Sequence, residues 1–327
     1  DGTKLLLNRI AESTNDYSGL SIALSSDGTV LAIGAYKNDG NGVDSGHARV
    51  FKYNGSSWLQ LGSDIDGPNG GVWFGFVELS SDGTILAVGA PQDGNNGISW
   101  LGSVSMFQYS SGSWSQLGST IYGDNNGDRS ANISLSSNGL IVAIGSIEHQ
   151  GGQIRIFEYN GSAWAQLGDD IDGPSDYSAV IGSVVSLSAD GSPLATSIYA
   201  YGLNTKGQVK IYTYNNSSWS QLGADIDGEA ADDRSGSIKL SSDGTKLAIG
   251  ASGNDGNGTD SGHVRVYDLI VETAPVATAQ TDVAATEQTE LTITLAGTDP
   301  ENDTLSYIIA SLPANGTLSD NGTVITA

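Results

Sequence analysis

Oxygen-bearing side chains recur with the same spacing in two distant loops. They are Asp39, Asn41 and Asp44 in Asn-Asp-Gly-Asn-Gly-Val-Asp, and Asp255, Asn257 and Asp260 in Asn-Asp-Gly-Asn-Gly-Thr-Asp. Carboxylate and amide oxygens are the ligands that Ca²⁺ prefers, and glycine allows the sharp turns that gather them around one ion. The same residue types also form ordinary turns without any ion. The two loops therefore predict calcium binding, with simple turn formation as the alternative.

Aromatic residues stand in loops where the other parts of the chain have small or polar residues. They are Trp73, Phe74, Trp100, Tyr199 and Tyr201. Exposed rings among polar loops are typical of surfaces that bind a glycan or a protein. Packing of the rings inside the fold is the alternative. We predict that these five residues contact a ligand.

Motifs for catalysis are missing from the sequence. It has no Cys, no Gly-x-Ser-x-Gly and no His-Glu-x-x-His. A glycoside hydrolase needs a pair of converging carboxylates, and among the segments predicted to line a central channel only Glu78 supplies an acid. We therefore expect a protein that is not an enzyme.

The charge of the chain excludes two classes of partner. The sequence has 13 Lys and Arg against 37 Asp and Glu, which gives a net charge of −24. Such a charge repels nucleic acid and anionic membranes. No apolar run approaches the roughly 20 residues that a membrane helix needs, and the first residues do not read as a signal peptide. We expect no nucleic-acid partner, no membrane insertion, and either a removed signal or a segment of a longer chain.

A repeated phrase organises most of the sequence. Leu-Ser-Ser-Asp-Gly, or a close variant, has its first serine at Ser25, Ser80, Ser136, Ser188 and Ser241. The differences between consecutive positions, 55, 56, 52 and 53 residues, suit the four-stranded blades of a β-propeller. Each unit reads as a short strand, a tight turn containing Gly, an apolar strand, an alternating strand and a fourth strand that begins near a tryptophan. No segment reads as a helix.

The two chain ends are predicted to complete one blade together. The fifth unit lacks a fourth strand, whereas Lys4 to Ile10 occupies that register, because Ile10 precedes Ser25 by the same 15 residues that separate Ile65 from Ser80. Pairing of this segment with residues 236–268 would close a ring and remove an open sheet edge. We therefore predict an all-β fold, with a five-bladed propeller over residues 1–270.

The repeat unit resembles the FG-GAP repeat of integrin α-subunit propellers, and most closely the bacterial versions in very large surface proteins. The likeness rests on Phe74-Gly75 and Ser18-Gly19 before the first strand, on the turn containing Gly, and on the Ala-Ile-Gly-Ala strand. It implies an extracellular role in adhesion. Integrin propellers have seven blades and carry Ca²⁺ between the first and second strands, whereas that turn here is only Ser-Asp-Gly-Thr.

The end of the sequence differs in composition. Residues 271–275 read as a linker, and residues 276–327 resemble part of a bacterial cadherin-like or Ig-like domain, a β-sandwich that normally needs about 100 residues. In that family acidic residues near the domain ends bind Ca²⁺, which makes Asp299, Glu301 and Asp303 candidates by resemblance. We expect a truncated sandwich, joined in the parent protein to further domains of the same long chain.

These observations favour a calcium-stabilised binding module of a large secreted or cell-surface protein. It would recognise a glycan or a protein through the acidic loop face. Two alternatives remain open: a structural spacer of a surface stalk or filament that binds nothing, and a glycan-active hydrolase.

Overall fold

The computed structural model describes most of the repeat region and parts of the segment that follows it. The described residues are 13–95, 97–147, 151–174, 179–200, 206–269, 275–278, 286, 289–299, 304–308, 317, 319–320 and 323–324. Within them every regular element is a β-strand, which confirms the prediction of an all-β fold. None of these residues forms a helix that could cross a membrane.

Each repeat unit forms one antiparallel sheet. Sheet 1 contains β1 (Ser21–Leu24), β2 (Val30–Ala35), β3 (His47–Tyr53), β4 (Trp58–Gln60) and β5 (Ile65–Asp66). Sheet 2 contains β6 (Phe76–Leu79), β7 (Ile85–Ala90), β8 (Ser103–Ser110), β9 (Ser113–Gln116) and β10 (Ile121–Tyr122). Sheet 3 contains β11 (Asn132–Leu135), β12 (Ile141–Ser146), β13 (Gln153–Tyr159), β14 (Trp164–Gln166) and β15 (Ile171–Asp172).

The last two sheets follow the same plan. Sheet 4 contains β16 (Ala179–Leu187), β17 (Leu194–Ala200), β18 (Gln208–Tyr214), β19 (Trp219–Gln221) and β20 (Ile226–Asp227). Sheet 5 contains only β21 (Ser235–Leu240), β22 (Lys246–Ala251) and β23 (His263–Asp268). In sheets 1 to 4 the four predicted strands are therefore joined by a two-residue strand that the sequence did not indicate. It pairs with the start of the third strand, as Ile65 does with Ala48.

The turn between the first and second strands is built by its own side chains. In sheet 2 the Ser80 hydroxyl donates to Asp82 Oδ1 at 2.7 Å and accepts the amide of Ile85 at 2.9 Å. Asp82 Oδ1 also accepts the amide of Thr84. Gly83 has a φ of +68°, the left-handed conformation that glycine adopts without strain. This explains why the phrase recurs in every unit.

Apolar side chains fill the space between neighbouring sheets. Between sheets 1 and 2, for example, Val50 and Ala48 of β3 share one buried cluster with Val77 and Leu79 of β6 and Val88 of β7. Three further clusters of the same kind join sheets 2 to 5. The second strands of sheets 2 and 3 are almost entirely apolar because a neighbouring sheet covers each of their faces.

The recurring tryptophans lock one sheet to the sheet before it. Trp114 Nε1 donates to the carbonyl oxygen of Leu61 at 2.7 Å, and Trp164 and Trp219 make the same bond to Leu117 and Leu167 at 2.8 Å. A buried indole N–H needs such an acceptor. These residues are therefore wedges between sheets and not a ligand-stacking surface.

A line of backbone hydrogen bonds runs along the row of sheets. The amide of Ser26 donates to Ser81, Ser81 to Ser137, Ser137 to Ala189, and Ala189 to Ser242. In the described part of the chain the line ends there, and no bond runs from Ser242 back to Ser26. The first strands likewise contact each other from β1 to β21, but no comparably extensive contact joins β21 to β1. The predicted closing segment, Lys4 to Ile10, lies outside the described residues, so the closed five-bladed ring stays a prediction.

The chain divides into two compact units, residues 1–269 and 270–327. In the second unit the described strands form two short antiparallel pairs, β24 (Val276–Ala277) with β25 (Gly297–Thr298) and β26 (Ser319–Asp320) with β27 (Thr323–Val324). Two isolated pairs do not establish a sandwich. The cadherin-like or Ig-like domain therefore stays a prediction.

Candidate functional site

Two rims of the sheets differ in their loops. We call turn rim the side that carries the turns between first and second strands and the hairpins between third and fourth strands. We call loop rim the opposite side, with the loops that lead to each third strand and to each following sheet. The described acidic and aromatic candidates of the repeat region, except Tyr199 in β17, lie in the loops of the loop rim.

Buried carboxylates shape the loop rim from within. Asp128 accepts the amides of Asp124 and Asn125 at 2.9 and 2.7 Å. Asp16 accepts the amide of Ser13, and equivalent Asp233 accepts the amide of Ala230; each also accepts a side-chain amide from an asparagine. The bond from Ala230 is the main reason that the pKa of Asp233 lies below its ordinary value. These acids are therefore parts of the scaffold.

In four units the residue that follows a buried loop residue is itself exposed or partly exposed. It has a left-handed backbone in four units, with φ of +54° at Tyr17, +61° at Trp73, +51° at Arg129 and +54° at Arg234. A non-glycine residue held in this conformation is uncommon and marks a position that the surrounding structure constrains. The backbone is thus the same in these units while the displayed side chain changes from aromatic to basic.

Three rings and a lysine gather where sheets 1 and 2 meet. The centroid of Tyr36 lies 5.3 Å from that of Tyr17 and 5.4 Å from that of Trp73. Lys37 Nζ lies 5.5 Å from the Tyr17 centroid and 5.4 Å from the Trp73 centroid, within the range of cation–π attraction. Tyr17 is half exposed, and Tyr36, Lys37 and Trp73 are partly exposed. We call Tyr17, Tyr36 and Trp73 the aromatic cluster.

The aromatic cluster adjoins a cavity between the first strands. Tyr36 packs on Phe76 with centroids 6.0 Å apart, and Phe76 lines a cavity of about 170 Å³. The other lining residues are Ser21, Val77, Ala131, Asn132, Ile133, Ser183, Val184 and Val185. The polar groups of Ser21 and Asn132 already bond to Val77 and Gly182. The aromatic cluster and the cavity therefore lie side by side, joined by Phe76.

The five predicted aromatic residues have different surroundings. Trp73 belongs to the aromatic cluster, and Trp100 is half exposed with Arg129 over its ring at 5.6 Å. Phe74 is 2% exposed and meets Phe107 edge-on, so it packs in the core and does not reach the surface. The backbone of Tyr199 lies in β17, whereas its side chain and the whole of Tyr201 lie outside the described residues.

The loops predicted to bind calcium form hydrogen-bonded turns. Asp39 Oδ1 accepts the amide of Asp44 at 2.9 Å, and Asp255 Oδ1 accepts that of Asp260 at 2.8 Å. Asn41 Nδ2 donates to the carbonyl of Gly67, while the amide of Asn257 donates to Ser261 Oγ. Among the described residues no three acidic or histidine side chains form a group that could hold a metal. Asp299 is partly exposed, and Glu301 and Asp303 lie outside the described residues.

Basic residues on the third strands neutralise part of the acidic rim. Arg49 pairs with Asp64 at 2.9 Å and Arg155 with Asp124 at 2.7 Å. Burial opposes ionisation of Asp64, but hydrogen bonds from Arg49 and Gln60 outweigh it and lower the pKa of that carboxyl. Two acids of the loop rim are therefore held in ion pairs.

The predicted channel acid has a partner across the sheets. Glu78 Oε1 on β6 lies 4.0 Å from Lys239 Nζ on β21. Burial raises the pKa of Glu78, and the charge of Lys239 opposes that shift.

Sequence reasoning missed the pair of Glu78 and Lys239, and it also missed Tyr17, Tyr36 and Lys37. The alignment of Asp16-Tyr17-Ser18-Gly19 with Val72-Trp73-Phe74-Gly75 was a signal that could have identified Tyr17.

Comparisons with known proteins agree with this architecture. The family model of the FG-GAP repeat matches residues 12–51, which covers sheet 1 up to the middle of β3. No curated protein matches the chain. The likeness confirms the repeat type predicted from the sequence, over one unit.

Solved structures resemble the chain at low sequence identity. Hydrazine synthase of Kuenenia stuttgartiensis has a TM-score of 0.51 and 13% identity, covering 76% of this chain and 64% of that one. TolB of Acinetobacter baumannii has a TM-score of 0.46 and 17% identity, covering 78% and 52%. The periplasmic gluconolactonase of Pseudomonas aeruginosa has a TM-score of 0.39 and 14% identity, covering 80% and 91%. The chain thus spans less than two thirds of the first two proteins, and the first likeness supports a propeller-type fold alone.

Proposed function

We propose that this chain is a binding module of a large secreted or cell-surface protein, and that it recognises a carbohydrate through the aromatic cluster. The observation that carries the proposal is the group of Tyr17, Tyr36 and Trp73 around Lys37 on the loop rim. Ligand sites combine apolar and aromatic surface with a few placed polar groups. Rings suit the C–H faces of a sugar, while Lys37 Nζ donates to hydroxyl groups.

Neighbouring oxygen atoms complete such a site. The carbonyl of Asp44 holds the amide of Trp73 at 3.3 Å, which places this loop next to the aromatic cluster. Asp39 on the same loop is exposed, and carboxylates accept hydrogen bonds from hydroxyl groups. A neutral, hydroxyl-rich ligand also fits a chain with a net charge of −24 better than an anionic one does.

A glycan array followed by calorimetric titration of the best ligand tests the proposal. We expect Trp73→Ala to weaken binding at least tenfold, about 1.4 kcal/mol. Trp100→Ala is the matched control, because Trp100 is a half-exposed tryptophan on the same rim outside the aromatic cluster. Equal losses in both variants would contradict recognition through the aromatic cluster alone, and no bound glycan on the array would contradict carbohydrate recognition. The latter result would favour the structural spacer.

Calcium belongs to the proposal as a stabiliser of the loops that contain Asp39 and Asp255. Their carboxylates organise the loops through backbone amides, and each keeps a second oxygen for an ion. We expect Ca²⁺ to raise the melting temperature and a chelator to reverse the effect. Asp39→Asn combined with Asp255→Asn would abolish the shift, and a shift that survives the double variant would rule out these loops.

We also propose that the module is not an enzyme. Glu78 is the acid of the first strands that faces a cation, Lys239, and a glycosidase needs a second carboxylate at a defined distance. A hydrolase screen with the array ligand tests this. Product formation that disappears in Glu78→Gln would replace the binding module with the hydrolase.

A further inference from the structure

The two end sheets of the row expose side chains that the inner sheets bury. On β1, Ile22 is 64% and Leu24 56% exposed, whereas Val77 and Leu79 at the same positions of β6 are 6% and 8% exposed. On β23, Val264 is 69% and Val266 66% exposed, whereas the equivalent residues of β8 and β13 are fully buried. Each end of the row is therefore a sheet face that the described residues leave largely exposed.

The two uncovered faces match each other. In every internal interface, third-strand residues of one sheet pack on first-strand residues of the next, as Val50 packs with Val77 and Leu79. Sheet 5 exposes the third-strand half of this interface, and sheet 1 exposes the first-strand half. The backbone agrees, because among the described residues the line of hydrogen bonds ends with the amide of Ser242 on one side and the carbonyl of Ser26 on the other.

In the described part of the chain, no apolar cluster joins sheet 5 to sheet 1. The first strands of neighbouring sheets contact each other throughout the row, but no comparably extensive contact joins β21 to β1. Apolar patches of this kind on a soluble protein mark interaction sites. The same kind of interface occurs four times within the chain. The exposed residues of the end faces match the two halves of that interface.

We propose that the end faces bind each other between copies of the chain, the face of sheet 5 in one copy packing on the face of sheet 1 in the next. The contact is heterologous, since two different surfaces meet. Such contacts produce rings when the rotation closes and filaments when it does not. This association uses the ends of the row, and it leaves the aromatic cluster as the ligand site.

Cysteine cross-linking tests the contact directly, because the chain has no native Cys. Inside the row, Ser81 Oγ and Ser137 Oγ lie 2.8 Å apart, so Ser81→Cys with Ser137→Cys is the positive control and forms a disulfide within one chain. Ser26 and Ser242 hold the same positions at the two ends. We expect that mixing the single variants Ser26→Cys and Ser242→Cys, one of them labelled with ¹⁵N, yields a mixed disulfide dimer.

Two results would overturn the proposal. The first is an intramolecular disulfide in the double variant Ser26→Cys with Ser242→Cys, which would mean that one chain closes on itself. The second is no disulfide in the mixture, while the positive control oxidises fully.

Sedimentation velocity gives an independent test. We expect wild-type protein to exceed the monomer mass of 33.6 kDa increasingly with concentration, and Val264→Glu to restore the monomer. Leu59→Glu is the control, since Leu59 is similarly exposed on β4, away from both end faces. A wild-type monomer at all concentrations, or equal effects of the two variants, would also reject the contact.

Discussion

The turn rim and the loop rim are built from the same five repeats, yet they have diverged to different degrees. On the turn rim the Ser-Asp-Gly turn makes the same hydrogen bonds in sheets 1, 2 and 5. On the loop rim the equivalent left-handed residue is Tyr17, Trp73, Arg129 or Arg234. Where the side chain itself builds the turn, only Asp or Asn, which offer the same acceptor oxygen, occupy the position. Where only the backbone conformation is required, the side chain is free to serve recognition.

The largest effect is expected at a structural glycine that contacts the next sheet. Gly118 has a φ of +73°, and a Cβ there would lie 2.7 Å from Trp164 Cδ1. Gly118→Ala therefore combines left-handed strain with overpacking and should cost about 3 kcal/mol. Gly223 has a φ of +69° with nothing within 4 Å, so Gly223→Ala should cost only about 1 kcal/mol. Urea denaturation measures both, and equal losses would show that the wedge contact is unimportant.

The next effect separates structural from displayed acids on the loop rim. Asp128→Ala leaves the amides of Asp124 and Asn125 without their acceptor and should lower the free energy of unfolding by about 2 kcal/mol. Asp169 is exposed, and Asp169→Ala should change it by less than about 0.5 kcal/mol. If both variants are neutral in denaturation, the buried carboxylate does not organise its loop.

The turns of the turn rim should lose stability in acid. Hydrogen bonds from the serine hydroxyl and the following threonine lower the pKa of Asp27 and bring that of Asp243 to about 2; in Asp82 they outweigh burial, which opposes ionisation. Because the folded-state pKa lies below the unfolded value, this stabilisation is present above about pH 4 and is lost as the pH falls towards 2.

Replacing these three aspartates with asparagine should reduce the loss of stability at low pH. Asn138 occupies the same position in sheet 3 and accepts the same bonds from Ser136 and Leu140. The variant Asp27→Asn, Asp82→Asn, Asp243→Asn should therefore fold at neutral pH and unfold less steeply between pH 4 and 2. Thermal melts across this range measure it, and an unchanged acid profile would assign the loss to other groups.

The smallest effect on stability is expected where the side chain is only displayed. Tyr17→Arg places at one left-handed position the residue found at Arg129 and Arg234. The free energy of unfolding should change by less than about 0.5 kcal/mol, while carbohydrate binding is lost with the ring. A large loss of stability, or unchanged binding, would show that Tyr17 is a packing residue.

Some candidate residues were recognisable in advance, and others were not. Trp73 stood out because the other units have no tryptophan at its position. Lys37 and Tyr36 did not, because a lysine and a tyrosine after a strand are ordinary residues until two loops place them around one point. Phe74 illustrates the opposite error. It directly follows Trp73, yet its side chain points into the core against Phe107.

The repeat, its strands, the serine-containing turns and the all-β class followed from the order of residues, because each depends on contacts within one unit of about 55 residues. The aromatic cluster, the Glu78–Lys239 pair and the uncovered end faces did not. The aromatic cluster and the Glu78–Lys239 pair join residues of different units. All three features depend on how one sheet stacks and turns on the next. Periodicity along the chain reports which face of a strand is apolar, but not which other unit that face meets.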